Sequence, residues 1–192
     1  MERTWSALIL LFLGASLLLT GAIAGFFYAY SVSVMRGLDA ATPQQAIGAM
    51  QGINAMVRNA WFAPAFFGTP ILAVVSSALL FRLKRRHAAI AMLLAAMFYV
   101  FGALVPTFAV NVPMNDALAE LAVPVENAEA LALWSHYSAR WTSWNHLRTL
   151  SSLASLLFVG VAIFLSSCVA QPVRVEPRWP QPRTHDPLQK QT

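Results

Sequence analysis

Trp134, Tyr137, Trp141, Asn145 and Arg148 are separated by 3, 4, 4 and 3 residues. At about 100° per residue on a helix, these five fall on one stripe. Trp144 lies beside it, and His136 and His146 project to the opposite side. Amide and guanidinium groups do not change charge near neutrality, so the chemistry they offer is binding and orientation. Two readings of the stripe stand side by side. In one, Trp and Tyr mark a membrane–water boundary and Arg148 snorkels to the headgroups. In the other, Asn145 and Arg148 point into the mouth of a bundle and meet Asn111, Asn115 and Asn54 in a polar cluster walled by aromatics. Polar side chains buried in a membrane bundle are costly and tend to mark functional cavities.

The chain that must position these residues has 192 residues, 58% of them hydrophobic and 11% charged. Mean hydropathy is +0.58. A soluble domain carries about 25% charged residues, so a water-facing globule would lack surface. The apolar content excludes disorder, and a single cysteine, Cys168, excludes a disulfide scaffold. Four apolar runs free of acidic and basic residues lie near residues 6–30, 59–81, 88–110 and 149–168. Each is long enough for a hydrocarbon core of about 30 Å, which takes about 20 helical residues. The runs are continuous rather than alternating, and lipid admits only helices or closed barrels. The expected fold is therefore all-α: a four-transmembrane-helix bundle in residues 1–170, with short helices in two outward loops. Residues 171–192 contain five prolines and no apolar pattern, and read as a disordered basic tail.

Charge sets the expected orientation. Arg3, Arg82, Lys84, Arg85, Arg86, Arg174, Arg178, Arg183 and Lys190 fall on one side with only Glu2, Glu176 and Asp186. Arg36, Arg58, Arg140 and Arg148 fall on the other with five acids. The positive-inside bias places both termini in the cytoplasm. The high pI thus speaks for orientation in a cell membrane, with the lipid bilayer as partner and no role for nucleic acid. Leu8–Leu19 followed by Ala22-Ile23-Ala24 also resembles a cleavable signal segment. The apolar run continues through Tyr30, however, and retention of the first span is the favoured expectation.

Local signals add detail. Gly21 and Gly25 form a small-xxx-small pair, the expected close-approach face within the chain or in a homo-oligomer. Pro64, Pro70 and Pro106 read as ordinary membrane-helix composition. Thr42 and Pro43 predict an N-cap and first helical position, followed by Ala46, Ile47, Met50, Ile53, Asn54 and Val57 at helical spacing. Asn111 or Val112 is expected to end the third span, with Pro113 starting a new helix and another beginning near Glu126.

Several chemistries fail on residue type. Thiol–quinone exchange needs a cysteine pair. Transmembrane haem needs histidines within the spans, and His87, His136, His146 and His185 lie at span ends, in a loop or in the tail. No metal site is expected, because His136 and His146 are ten residues apart on one presumed helix. No phosphate-binding loop, dinucleotide fingerprint or hydrolase elbow occurs. No mid-membrane carboxylate marks an ion-coupled path.

Four segments resemble the anthrone oxygenase-like family of small membrane proteins. They are Gly25-Phe26-Phe27-Tyr28-Ala29-Tyr30-Ser31-Val32-Ser33-Val34-Met35 with Gly37-Leu38, then Met50-Gln51-Gly52-Ile53-Asn54, then Asn111-Val112-Pro113-Met114-Asn115, then Trp141-Thr142-Ser143-Trp144-Asn145-His146-Leu147-Arg148-Thr149. They occur in order across roughly residues 20–165. The resemblance implies a four-helix membrane protein and, from the characterised branch, oxygenation of an anthrone to an anthraquinone without a cofactor. It gives Arg148 the stabilisation of an enolate oxygen, with Asn111, Asn115, Asn145 and Asn54 donating hydrogen bonds. Trp141, Trp144 and Tyr28 would stack on a flat lipophilic ligand. His146 is the one nearby group of base-like pKa, although the helical wheel turns it away. Two other classes remain open: a non-catalytic accessory or assembly partner, and a small-molecule carrier.

Overall fold

The computed structural model describes residues 2–168, with side chains from 7 to 167. The tail at 171–192 lies outside the described residues. Among the described residues every regular element is helical. In chain order they are α1 (Ala7–Asp39), α2 (Pro43–Met56), α3 (Phe62–Arg82), α4 (Arg86–Ala119) and α5 (Asn127–Ser167). All but α2 are long and apolar enough to cross a membrane.

Three of these helices outrun a bilayer. Helices α1, α4 and α5 have 33, 34 and 41 residues, so at 1.5 Å per residue they extend about 50–60 Å against a core of about 30 Å. The expected break after Asn111 does not occur. Its place is taken by a π-helical turn, Thr107–Asn111, which passes directly into α-helix at Val112. A second π turn lies at Val100–Leu104, and α1 has one at Tyr30–Val34. Each π turn takes up an extra residue and re-aims the next stretch of helix without ending it. Pro113 lies just beyond the last π turn, and Pro106 sits between the two in α4. Their missing N–H groups fall where the backbone pairing is already shifted. Pro106 is thus more than ordinary composition.

Around the bundle α1 neighbours α3 and α5, and α4 neighbours the same two. At the end holding the α3–α4 connection the core is Leu13, Leu80, Met92, Val159 and several alanines. At the other end α2 lies across the extensions of α1, α4 and α5. It buries Ala46, Ile47, Met50 and Asn54 against Tyr30, Met35, Leu118, Trp134, Tyr137 and Trp141. Pro43 is its first residue, but the Thr42 side chain makes no cap bond; the Thr42 carbonyl accepts from Ala46 N instead (3.0 Å). Asp39, at the end of α1, accepts Trp134 Nε1–H (2.9 Å) and the Ser138 hydroxyl (2.6 Å), which pins α1 to α5.

Within the chain, the close approach of helices is not at Gly21 and Gly25. A methyl group at Gly21 or Gly25 would meet nothing within 4 Å. At Gly102 it would overlap the Ser151 side chain, so α4 and α5 touch nearly backbone to side-chain root. The reason is physical: association in lipid follows packing, and packing is deepest where α4 unwinds at Val100–Leu104. Gly102→Ala is therefore expected to destabilise the protein by about 2 kcal/mol or more through overpacking. Adding Ser151→Gly should recover at least half of that loss, and Gly21→Ala should be neutral. Thermal melting in detergent distinguishes the three.

Candidate functional site

The five-residue stripe of α5 faces the bundle where α1, α3 and α4 converge beneath α2. Between them lies a cavity of about 570 Å³. Its walls are aromatic, from Phe26, Phe27 and Tyr30 of α1, Phe62, Phe66 and Phe67 of α3, Phe108 of α4 and Trp141 of α5. Its polar groups are Asn54, Asn59, Thr107, Asn111, Asn115, Arg58 and Arg148. This size suits a small organic ligand.

Arg148 sets the electrostatics. It is 4% exposed, and its guanidinium lies between the faces of Phe27 and Trp141, with Cζ 4.7 and 4.8 Å from the two ring centroids. One terminal nitrogen donates to Asn145 Oδ1 (2.9 Å) and the other to Thr107 Oγ1 (3.3 Å). The Nε–H is buried with no partner among the described residues. No carboxylate among them pairs with it; the one salt bridge among the described residues is Arg58–Asp116 at the exposed rim (2.6 Å). A buried cation costs several kcal/mol, and cation–π contacts of about 0.5–2 kcal/mol each offset only part.

The amides fall into three roles. Asn145 is fully buried behind the cavity wall. Its Nδ2 donates to the Phe27 carbonyl (2.9 Å) and to Ser31 Oγ (2.8 Å), while its Oδ1 holds Arg148. Asn115 accepts from both Tyr137 Oη (2.8 Å) and Trp141 Nε1 (2.8 Å), which fixes the indole over the guanidinium. Asn54 donates to Tyr137 Oη (3.4 Å) from above. Asn111 is 1% exposed; its Nδ2 makes a long bond to the Trp141 carbonyl (3.4 Å) and its Oδ1 has no partner among the described residues. Arg148 Nε and Asn111 Oδ1 are thus both unpaired among the described residues and closed off by the packing around them, on two residues that line the cavity.

Of the residues singled out by sequence, Arg148, Asn54, Asn111, Asn115 and Trp141 line the cavity, and Asn145 supports Arg148 from behind. Three do not line it. Tyr28 is half exposed on the far side of α1. Trp144 is half-buried beside the stripe. His146 is exposed on α5, with Nδ1 3.0 Å from Ser31 Oγ. Snorkelling is also not what Arg148 does, since its head is buried among aromatic rings.

Sequence reasoning passes over Thr107, Ser31, Tyr137 as a site member, and the Phe wall of α3. Thr107 and Ser31 both lie in π turns, which no periodicity reveals; Tyr137 is already on the stripe and lacks only its partner. Among the described residues no three of His, Cys, Asp and Glu gather as metal ligands.

Together these features define a four-helix membrane protein with an aromatic cavity that ends in a buried guanidinium. The family model described as anthrone oxygenase matches residues 58–158, just over half of the chain, and the chain belongs to that family. The match takes in α3, α4, and α5 as far as Phe158, and so includes Arg148, but not Gly25–Met35 or Met50–Asn54. No curated protein and no solved structure matches the chain.

The Asn115 geometry yields a direct expectation. Asn115→Ala leaves two buried donors, Tyr137 Oη–H and Trp141 Nε1–H, without an acceptor, a loss of about 2–6 kcal/mol at about 1–3 kcal/mol per group. The melting temperature should fall by several degrees and tryptophan emission should shift as Trp141 loosens. Asn59→Ala, which removes only exposed bonds, two from the start of α3 and one to the Met56 carbonyl, should cost about 1 kcal/mol.

Proposed function

We propose that the cavity binds the ionised form of a flat, lipophilic phenol or anthrone and promotes its oxygenation by dioxygen. The observation that carries this reading is Arg148: a cation buried among aromatic faces, facing a cavity, with no acidic partner among the described residues. A resident positive charge of this kind favours a ligand that brings a delocalised negative charge. Family membership supports the same reading.

The chemistry follows from the ligand. Loss of a proton from the CH2 of an anthrone gives an electron-rich enolate. Its oxygen lies against the Arg148 guanidinium, with Asn111 on the adjoining wall. The rings lie among Phe27, Phe66, Phe108 and Trp141. Dioxygen adds to the carbanionic carbon, a proton completes a hydroperoxide, and loss of water leaves a carbonyl. Overall, CH2 and O2 become C=O and H2O. The protein's part is to hold the anion and keep water off the rings, which is electrostatic stabilisation in a low-dielectric site.

Among the described residues no carboxylate or imidazole lines the cavity, so the proton leaves to solvent rather than to a catalytic base. By the positive-inside bias the basic α3–α4 connection faces the cytoplasm, and the cavity opens on the opposite side.

Oxygen uptake by the purified protein with 1,8-dihydroxyanthrone tests the reading. Arg148→Met should lower kcat/KM by about tenfold to a hundredfold, the worth of a charge-assisted hydrogen bond of about 1.5–3 kcal/mol. The pH midpoint of kcat/KM should follow the acidity of the ligand across a series of substituted anthrones. A midpoint that stays fixed across the series and is lost in His146→Ala would show a protein base instead.

A further inference from the structure

Outside the aromatic cavity lies a second hollow, of about 490 Å³, between α1, α3 and the end of α2. Its floor is Ala22, Ile23 and Ala65, on the spanning parts of α1 and α3. Its rim carries Met56 and Trp61, which are 74% and 92% exposed. Five residues, Phe26, Tyr30, Val57, Asn59 and Phe62, line both this groove and the cavity. The two spaces are therefore separated by one layer of side chains. The middle of that layer is Phe26 against Phe62, with ring centroids 5.1 Å apart. Both rings are half-buried.

We propose that this groove is a lipid-side vestibule, a subsite that receives the lipophilic ring ligand from the membrane and passes it between Phe26 and Phe62 into the cavity. The inference rests on the reading of the cavity as a site for such a ligand. Three observations carry it. First, the groove is almost wholly apolar and continues the face of α1 on which Leu18 and Leu11 are 73% and 68% exposed. A flat hydrophobic molecule concentrates there before it meets any polar group.

Second, the partition is cheap to open. An aromatic pair contributes about 0.5–1.5 kcal/mol beyond its buried area, and its neighbours Ala22, Ala63 and Ala65 are small. Third, the water-side rim is bridged by Arg58 and Asp116 (2.6 Å), which ties the loop before α3 to the end of α4. That rim suits protons and water, and the apolar side suits the rings. Trp61 at the outer edge has the position of an interfacial aromatic.

The test uses the full chain in phosphatidylcholine vesicles, with 1,8-dihydroxyanthraquinone, a stable, coloured, flat phenol, dissolved in the bilayer. Binding is followed by stopped-flow quenching of tryptophan emission. Ala22→Trp fills the groove without touching the cavity. It should slow association and dissociation together by at least fivefold and leave the equilibrium affinity within twofold, because a blocked path changes rates but not end states. Ala65→Trp should act in the same way from the other wall, and serves if Ala22→Trp fails to fold. Phe62→Ala should speed both rates.

Wild-type rates in a folded Ala22→Trp or Ala65→Trp protein, together with unchanged rates in Phe62→Ala, would overturn the vestibule while leaving the cavity reading intact. A wild-type protein with no saturable quenching would overturn the cavity reading, and the vestibule with it.

Discussion

A positive charge buried without a negative partner is the constraint on which the site depends. In a bundle surrounded by lipid, Arg148 is almost wholly buried, and no carboxylate among the described residues pairs with it. Its surroundings are arranged to make that tolerable: an aromatic face on each side, an amide oxygen from Asn145 and a hydroxyl from Thr107. Those groups hold the guanidinium in one orientation but do not neutralise it. A structural tie between helices would be better served by a neutral amide or by an ion pair. The same guanidinium lines the cavity.

The rest of the upper bundle holds that arrangement in place. The π turn of α1 carries Ser31, which bonds Asn145 and through it fixes Arg148. The last π turn of α4 carries Thr107 and Asn111, both on the cavity wall. Asn115, one turn beyond, locks Tyr137 and Trp141. Helix α2 closes the end and supplies Asn54. Irregular helical turns at a functional site are a recurring device because they re-aim side chains without breaking the backbone pairing that lipid demands. In this bundle they also let the helices run on past the membrane, so that one continuous element, α5, is both a span and a wall of the site.

Much of this is legible in the sequence because hydropathy and helical spacing are strong signals. The absence of charge over long apolar runs marks four helices, and the 3, 4, 4, 3 spacing puts Trp141, Asn145 and Arg148 on one face. Asn54, Asn111 and Asn115 can be joined to them because polar groups in such a bundle must find one another. The features that stay hidden have a common cause. Pro113 reads as a helix start because a π turn, set by tertiary contact, leaves no periodic trace. Gly21 and Gly25 read as a packing face because their spacing fits, whereas the contact at Gly102 depends on a single residue, Ser151, far along the chain. Tyr28 and Trp144 join the site by their aromatic type, and only the rotation of each helix shows that they face elsewhere.

The central claim, that Arg148 is kept charged and unpaired for a ligand, is tested most directly by the melting temperature of Arg148→Met beside the wild type, each with and without 1,8-dihydroxyanthraquinone. Without ligand the variant should be at least as stable as the wild type, because an apolar side chain of similar length removes a buried charge. Added ligand should then raise the wild-type melting temperature and leave that of the variant unmoved. A variant that melts several degrees lower without ligand, with equal ligand shifts in both proteins, would make Arg148 a structural strut and contradict the account.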